Sequence, residues 1–274
     1  MTDQLKTALS LARSVLYLPA SNARAMEKAR GLDCDMVIVD LEDAVRDEDK
    51  PAARLAAVAG LAEAWKADVV AVRVNGPGTQ WHQADVEALR DARPAVIVVP
   101  KVESADAANA VAGAVGAPVL AMIETPLGVY SARDIAAAEG VAGLIAGTND
   151  LAAELGLPPG GDRTGLALSL QAMVLAARAA GGVAFDGVYN RLDDPEGLAR
   201  ECREGRTLGF TGKTLIHPNQ IGPCNSAFGP SDEEIDDARA LIEAASGGAE
   251  RFRGRMVEAM HVASARRLLA RARA

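Results

Sequence analysis

Eight short apolar runs, separated by alanine-rich helical stretches, set the strongest limit on how this chain can fold. They are VLYLPA (15–20), MVIVDLED (36–43), VVAVRVN (69–75), AVIVVPKVE (95–103), PVLAMIETP (118–126), GLIAGTND (143–150), FDGVY (185–189) and KTLIHP (213–218). Most are continuously apolar rather than alternating, which is the pattern of strands covered on both faces. The segments between them, such as NARAMEKARGL and DKPAARLAAVAGLAEAW, read as crossover helices. Eight β–α units in 274 residues predict an α/β fold, a TIM (β/α)8 barrel. An open doubly wound sheet is the alternative, weakened because no G-x-G-x-x-G follows the first run.

After GPCNSAFGP (222–230) the composition shifts. SDEEIDDARALIEAAS has a serine at the N-cap position and acids in the first turn that follows. SGGAERFRGRMVE (246–258) interrupts this helical pattern, and MHVASARRLLARARA resumes it. The chain therefore divides into a barrel over residues 1–230 and a helical tail over 231–274. The tail caps the barrel or reaches a neighbouring subunit.

Aromatic residues are only 3% of the chain, so Ala, Val, Leu and Ile must fill the core. A net charge of −8 argues against nucleic acid or an anionic membrane as partner. The cysteines Cys34, Cys202 and Cys224 are odd in number and far apart, so free, buried thiols in a reducing compartment are expected. No run approaches the roughly 18 apolar residues of a membrane helix. The first residues also lack a signal-like apolar core, and a cytoplasmic protein is expected.

In a TIM barrel the chemistry sits at the C-terminal ends of the strands. There this sequence collects Asp40, Glu42 and Asp43, then Arg73 and Asn75, Lys101 and Glu103, Glu124, Asn149 and Asp150, and His217. Carboxylates gathered around a dry mouth repel one another, and a divalent cation relieves this. Mg2+ suits the hard oxygen ligands, with Glu124 and Asp150 as its two carboxylates on adjacent strands. Arg73, set among apolar residues, needs an anion: either a structural partner such as Asp40 or a substrate carboxylate held bidentately. Arg13, Arg24 and Lys28 lie near the first strand and the start of the next helix, where they form a phosphate site or a solvated helix face. His217 is either a base or a hydrogen-bonded structural histidine before a proline turn.

Taken together, RSVLYLPASNARAMEKA, DMVIVDLEDAV followed by KPAAR, VRVN, VVPKVES, MIET, GTNDLAAELG, GFTGKTLIHPNQI and the late GRMVE resemble the citrate lyase beta-subunit-like proteins of the HpcH/HpaI aldolase and citrate lyase superfamily. The resemblance runs from about Arg13 to beyond Met256. It implies a TIM barrel, commonly trimeric, that cleaves or forms carbon–carbon bonds in citryl, malyl, citramalyl or related β-hydroxyacyl thioesters of coenzyme A or acyl carrier protein. It implies Mg2+ on Glu124 and Asp150, and Arg73 on the oxo-acid or hydroxy-acid end. Asp40, Glu42 and Asp43 would support the metal's waters and the substrate, and Arg13, Arg24 and Lys28 would meet the coenzyme A phosphates. Family members often carry an Asp in a late G-K/R-M-I/V-D segment that enters the neighbouring subunit's site. This chain has Glu258 in that place and PASN where PGSN is common.

The expected activity is a Mg2+-dependent carbon–carbon lyase in which Glu258 of a partner chain protonates the acyl-thioester enolate. Two other readings stand beside it. A pyruvate-class aldolase for free hydroxy-oxo acids uses a histidine near the second strand, where this chain has DLED. A non-catalytic subunit of a lyase complex finds its support in Glu258.

Overall fold

The computed structural model describes residues 1–160, 162–245, 248 and 250–272. Helix α1 (Asp3–Leu11) precedes eight strands: β1 (Ser14–Pro19), β2 (Met36–Asp40), β3 (Val69–Arg73), β4 (Val96–Val99), β5 (Val119–Ile123), β6 (Val141–Ala146), β7 (Val183–Asp186) and β8 (Gly212–Leu215). Each pairs in parallel with the next, and β1 pairs with β8, so the sheet closes into a TIM barrel. All eight apolar runs are strands of this one barrel, in chain order. The crossovers are α2 (Ala23–Ala29), α3 (Lys50–Leu61), α4 (His82–Ala92), α5 (Ala105–Val115), α6 (Pro126–Ala136), α7 (Thr148–Glu154), α8 (Ala167–Ala179) and α9 (Pro195–Leu208). The β6–β7 connection holds two helices, the short α7 and then α8.

Side-chain alternation divides each strand between two apolar layers. In β2, Met36 and Ile38 join the inner cluster with Val15, Ala71, Val98, Leu120, Ile145 and Phe185. Val37 and Val39 join the outer cluster under the helices. Leu9 and Ala12, from α1 and the residue after it, complete the inner cluster at the N-terminal end. The same alternation turns Tyr17, Asp40, Arg73 and Met122 inward at the C-terminal layer, two residues beyond Val15, Ile38, Ala71 and Leu120. They form the floor of the mouth.

After β8 come α10 (Ile221–Phe228), α11 (Asp232–Ala244), the antiparallel pair β9 (Glu250–Phe252) and β10 (Arg255–Val257), and α12 (Ala259–Arg271). Ser231 caps α11 in a reciprocal capping box with Glu234, as its sequence predicts. The interruption at 246–258 contains a two-residue hairpin turn, with Arg253 at φ 45° and Gly254 at φ 82°. Ala238, Leu241, Val257 and Ala265 give this tail an apolar cluster of its own. It touches the barrel through Arg206, whose Nη2 donates to Glu234 at 2.8 and 2.9 Å, and through Arg271, which donates to the Thr211 carbonyl. The three cysteines are buried and free. No helix among the described residues is long and apolar enough to cross a membrane.

Candidate active site

The run that ends β5 sets the geometry. Ile123 closes the strand, Thr125 caps α6 by accepting from the Gly128 N–H, and Pro126 fills the first helical turn. Glu124 is pinned between strand end and cap, 3% exposed. Its Oε1 accepts the Lys101 N–H at 2.7 Å. Lys101 reaches this position with φ 51°, a left-handed conformation that costs a non-glycine residue about 1–2 kcal/mol. On the next strand Ile123 is in register with Ala146, so Glu124 stands beside Gly147. A Cβ at Gly147 would lie 2.4 Å from Glu124 Oε2. Asp150 follows in the first turn of α7. Burial pushes the Glu124 carboxyl up to about 7; the Lys101 N–H opposes the rise and the charge of Asp150 adds to it.

Arg73 lies across the floor. Strand register sets it opposite Asp40, and its Nε and Nη2 each donate to one Asp40 oxygen at 2.6 Å. Asp40 also accepts the Glu42 and Ala44 N–H groups. Burial works against the guanidinium charge, but Asp40, with smaller help from Tyr17 and Glu42, raises the Arg73 pKa. The structural partner weighed for Arg73 is therefore present, and it closes the Nε–Nη2 edge to a substrate carboxylate. At the other corner Nη1 lies 2.9 Å from Glu42 Oε2 and 3.9 Å from Asp43. Glu42 Oε2 is buried without a hydrogen-bond partner, and burial, partly offset by Arg73, pushes this carboxyl up to about 8. Asp43 is exposed.

The structure separates the three basic residues of the first unit. Arg24 and Lys28 are exposed on α2, which leaves the C-terminal end of β1. Arg13 precedes β1, roughly 20 Å away along the strand at about 3.3 Å per residue. There it forms a two-pronged pair with Asp35, both contacts at 3.0 Å. A parallel strand has two distant ends, and nearness in sequence concealed this. Asn75 and His217 also take structural positions. Asn75 is buried between Lys50 and Asp85, and His217 Nδ1 accepts the Asn219 N–H. Glu258 is exposed at the start of α12, its N–H donated to His261. Its described bonds do not reach Arg73, Glu124 or Asp150.

Sequence reading passed over Lys50. Its buried ammonium donates to the Leu41 and Glu42 carbonyls at 3.0 and 2.9 Å and to Asn75 Oδ1 at 2.6 Å, and lies 4.9 Å from the Trp81 ring. The KPAAR motif was visible, but nothing local shows that its lysine reaches back to the DLED turn. Two further features lie beyond sequence signal. One is the outer-layer network of Lys213, Asp186, Arg163 and Glu201. The other is a cavity of about 800 Å3 beside α7, lined by Asn149, Asn190 and Arg191 among others.

The donor set fits Mg2+. Glu124 and Asp150 offer hard carboxylate oxygens, and Gly147 leaves open the space that a Cβ would fill against Glu124 Oε2. A cation would also offset the burial, and the smaller effect of the Asp150 charge, that raise the Glu124 pKa. Among the described residues no group of three or more His, Cys, Asp or Glu side chains forms a metal cage. This agrees with an ion that takes one or two carboxylates and otherwise water and substrate.

The HpcH/HpaI aldolase/citrate lyase family model matches residues 13–218. This chain belongs to that family. It is 46% identical over 271 residues to a (3S)-malyl-CoA thioesterase of Cereibacter sphaeroides, covering 96% of this chain and 95% of the relative. It is 37% identical to a citrate lyase subunit beta-like protein of Deinococcus radiodurans, with 95% and 97% covered. Among solved structures, CitE of Mycobacterium tuberculosis in complex with magnesium, acetoacetate and coenzyme A superposes with a TM-score of 0.84. It is 34% identical, over 96% of this chain and 99% of that one.

Proposed function

We propose that this family member is a Mg2+-dependent enzyme of β-hydroxyacyl-CoA thioesters, with (3S)-malyl-CoA as its first candidate substrate, and that it hydrolyses the thioester. The observation that carries the site is the pair of Glu124, directly after β5, and Asp150, in the first turn of α7 after β6, beside an Arg73 whose orientation Asp40 fixes. The 46% identity to a (3S)-malyl-CoA thioesterase carries the substrate and the bond broken. The replacement of Asp by Glu258 in the late motif favours the same outcome, because it alters the reach of the carboxylate that a lyase would use.

When held by Glu124 and Asp150, Mg2+ would act as a Lewis acid toward the oxygen on which charge develops. Arg73 neutralises the acid end of the acyl group. Glu42, whose carboxyl burial raises to about 8, is able to give or take a proton near neutral pH, with its Oε2 facing Arg73 Nη1 at 2.9 Å. Arg24 and Lys28 supply positive charge for the coenzyme A phosphates; Arg13, at the far end of β1, is left out of this role. In hydrolysis water adds to the thioester carbonyl, the C–S bond breaks and the thiol leaves with a proton, giving malate and free coenzyme A.

The second reading is the carbon–carbon lyase, favoured by the 37%-identical citrate lyase subunit beta-like relative. There the hydroxyl loses its proton and the C2–C3 bond breaks. The oxo-acid departs, and the electron pair forms a thioester enolate that Glu258 of a neighbouring subunit protonates. Both readings place the protein in the cytoplasm as a homo-oligomer, a trimer by preference.

Product analysis decides. Purified protein with Mg2+ and (3S)-malyl-CoA is expected to release malate and free thiol. Glyoxylate and acetyl-CoA would shift the assignment to the lyase. No turnover of malyl-, citramalyl- or citryl-CoA, or full turnover in EDTA, would overturn the Mg2+-enzyme reading.

A further inference from the structure

Two hydrogen-bond donors on the floor of the mouth converge on one poor acceptor. Tyr17 Oη lies 3.6 Å from Met122 Sδ, and Arg73 Nη1 lies 3.8 Å from the same sulfur. A thioether sulfur accepts hydrogen bonds weakly. The phenol hydroxyl has no stronger partner among its described contacts, although Tyr17 is only half-buried and turned toward the mouth. The Arg73 guanidinium lies 4.8 Å from the Tyr17 ring centroid, which fixes the ring and its hydroxyl relative to the cation. Burial and the nearby Asp40, Glu124 and Glu42 carboxylates hold the phenol above its ordinary range, with Arg73 opposing them, so it stays a neutral donor.

Asp40 already occupies the Nε–Nη2 edge of Arg73. An acyl carboxylate that arrives at Arg73 therefore meets the Nη1 corner, which it shares with Glu42 Oε2 at 2.9 Å and where one guanidinium N–H holds it less firmly than a full fork. A second donor is needed, and Tyr17 Oη stands across the same sulfur. Resting on the function proposed above, we infer that Tyr17 is a substrate-binding residue: its hydroxyl and Arg73 Nη1 together hold a carboxylate of the hydroxy-acid end, above Met122 Sδ. Substrates with an anionic group at that end gain two bonds; an acyl chain ending in a methyl group leaves the Tyr17 hydroxyl with a thioether alone and is disfavoured.

Tyr17→Phe removes the oxygen alone and keeps the ring under Arg73. Calorimetric titration of (S)-malate into protein with saturating Mg2+ is expected to give a Kd raised by roughly 10- to 100-fold, the range for a bond to a charged group. The Mg2+ affinity and melting temperature should match wild type, because the lost hydroxyl touches only a thioether. KM for malyl-CoA should rise more than kcat falls. An unchanged malate Kd in Tyr17→Phe would overturn the inference while leaving the function standing. Wild-type protein that neither binds malate nor turns over malyl-CoA would instead overturn the functional reading, and the carboxylate seat with it.

Discussion

At Gly147 the backbone φ of −91° suits any residue, so the demand for glycine comes from Glu124. An added Cβ would sit 2.3 Å from Glu124 Cβ and 2.4 Å from Oε2, closer than packed atoms come. Gly147→Ala must displace the carboxylate by about 1 Å, a misplacement that costs catalysis on the order of 100-fold. The expected result is a comparable loss of kcat/KM and weaker Mg2+ binding by calorimetry, with a stability cost of about 1–3 kcal/mol in urea. Glu42 makes a pH prediction. Its pKa is about 8 in the folded chain against 4.5 for an ordinary glutamate. Between these values the folded state keeps a proton that the unfolded state releases, so stability is greatest below about pH 4.5 and falls as pH rises through 8. Glu124, raised to about 7, slopes the same way in the metal-free protein. Melting temperatures in EDTA should fall from pH 5 to 9, and Glu42→Gln should flatten the upper part; parallel curves would remove Glu42 as the cause. That Glu124 and Asp150 come close at one end of the barrel was legible in the sequence, because a strand end is a fixed address in a barrel. The raised Glu42 pKa was not, because it depends on burial and on how Arg73 meets Oε2, neither of which a linear chain displays.

The strands were the most legible elements. Burial on both faces leaves a continuous apolar run, and most of the eight runs carry that mark. The hairpin of β9 and β10 left none, since three-residue strands are too short to show a period of two. The β2–α3 turn shows what an element needs beyond its own residues. Its carboxylates face the mouth, yet Lys50 at the start of α3 holds the Leu41 and Glu42 carbonyls and ties them to Asn75 after β3. Asn75 is held in turn by Asp85 on α4, and Asp85 by Arg54 on α3. Lys50→Met keeps the length of the stem and removes the ammonium, taking its donor from the Leu41 carbonyl and Asn75 Oδ1, while the Glu42 carbonyl keeps only the Val45 N–H. About 2–4 kcal/mol should be lost, read as a lower urea midpoint with an unchanged m-value. Activity should drop as well, because Glu42 is then set less firmly against Arg73. Lys50→Arg should restore only part of either, since a planar fork cannot reproduce three bonds around one nitrogen.

For the molecule as a whole, the tail poses the question of where a site begins and ends. It has its own apolar cluster, and Asp237 bonds both Arg253 and Arg255 within it. Where it meets its own barrel, burial, and then the like charges of Arg178, Arg206 and Arg13, lower the Arg271 pKa to about 10. Meanwhile Met256 and Met260 stand 71% and 62% exposed on either side of Glu258, an apolar surface flanking an acid. A tail that carries a catalytic carboxylate to a neighbour's mouth would present such a surface. The composition shift after residue 230 was readable, but the partner is not, because the contacts of one chain do not say which copy completes the site. Subunit exchange does. In the lyase reading Arg73→Ala lacks a working mouth and Glu258→Gln lacks a working tail, so each alone should be nearly inactive as a lyase. Mixed one to one and allowed to exchange, a complete site needs an intact mouth from one chain and an intact tail from the other. Random assembly in a ring brings these together in about a quarter of the sites, so activity should recover toward about a quarter of wild type. A mixture whose exchange is verified by mass spectrometry, but whose activity stays at the level of the separate variants, would assign Glu258 no role at a neighbour's mouth.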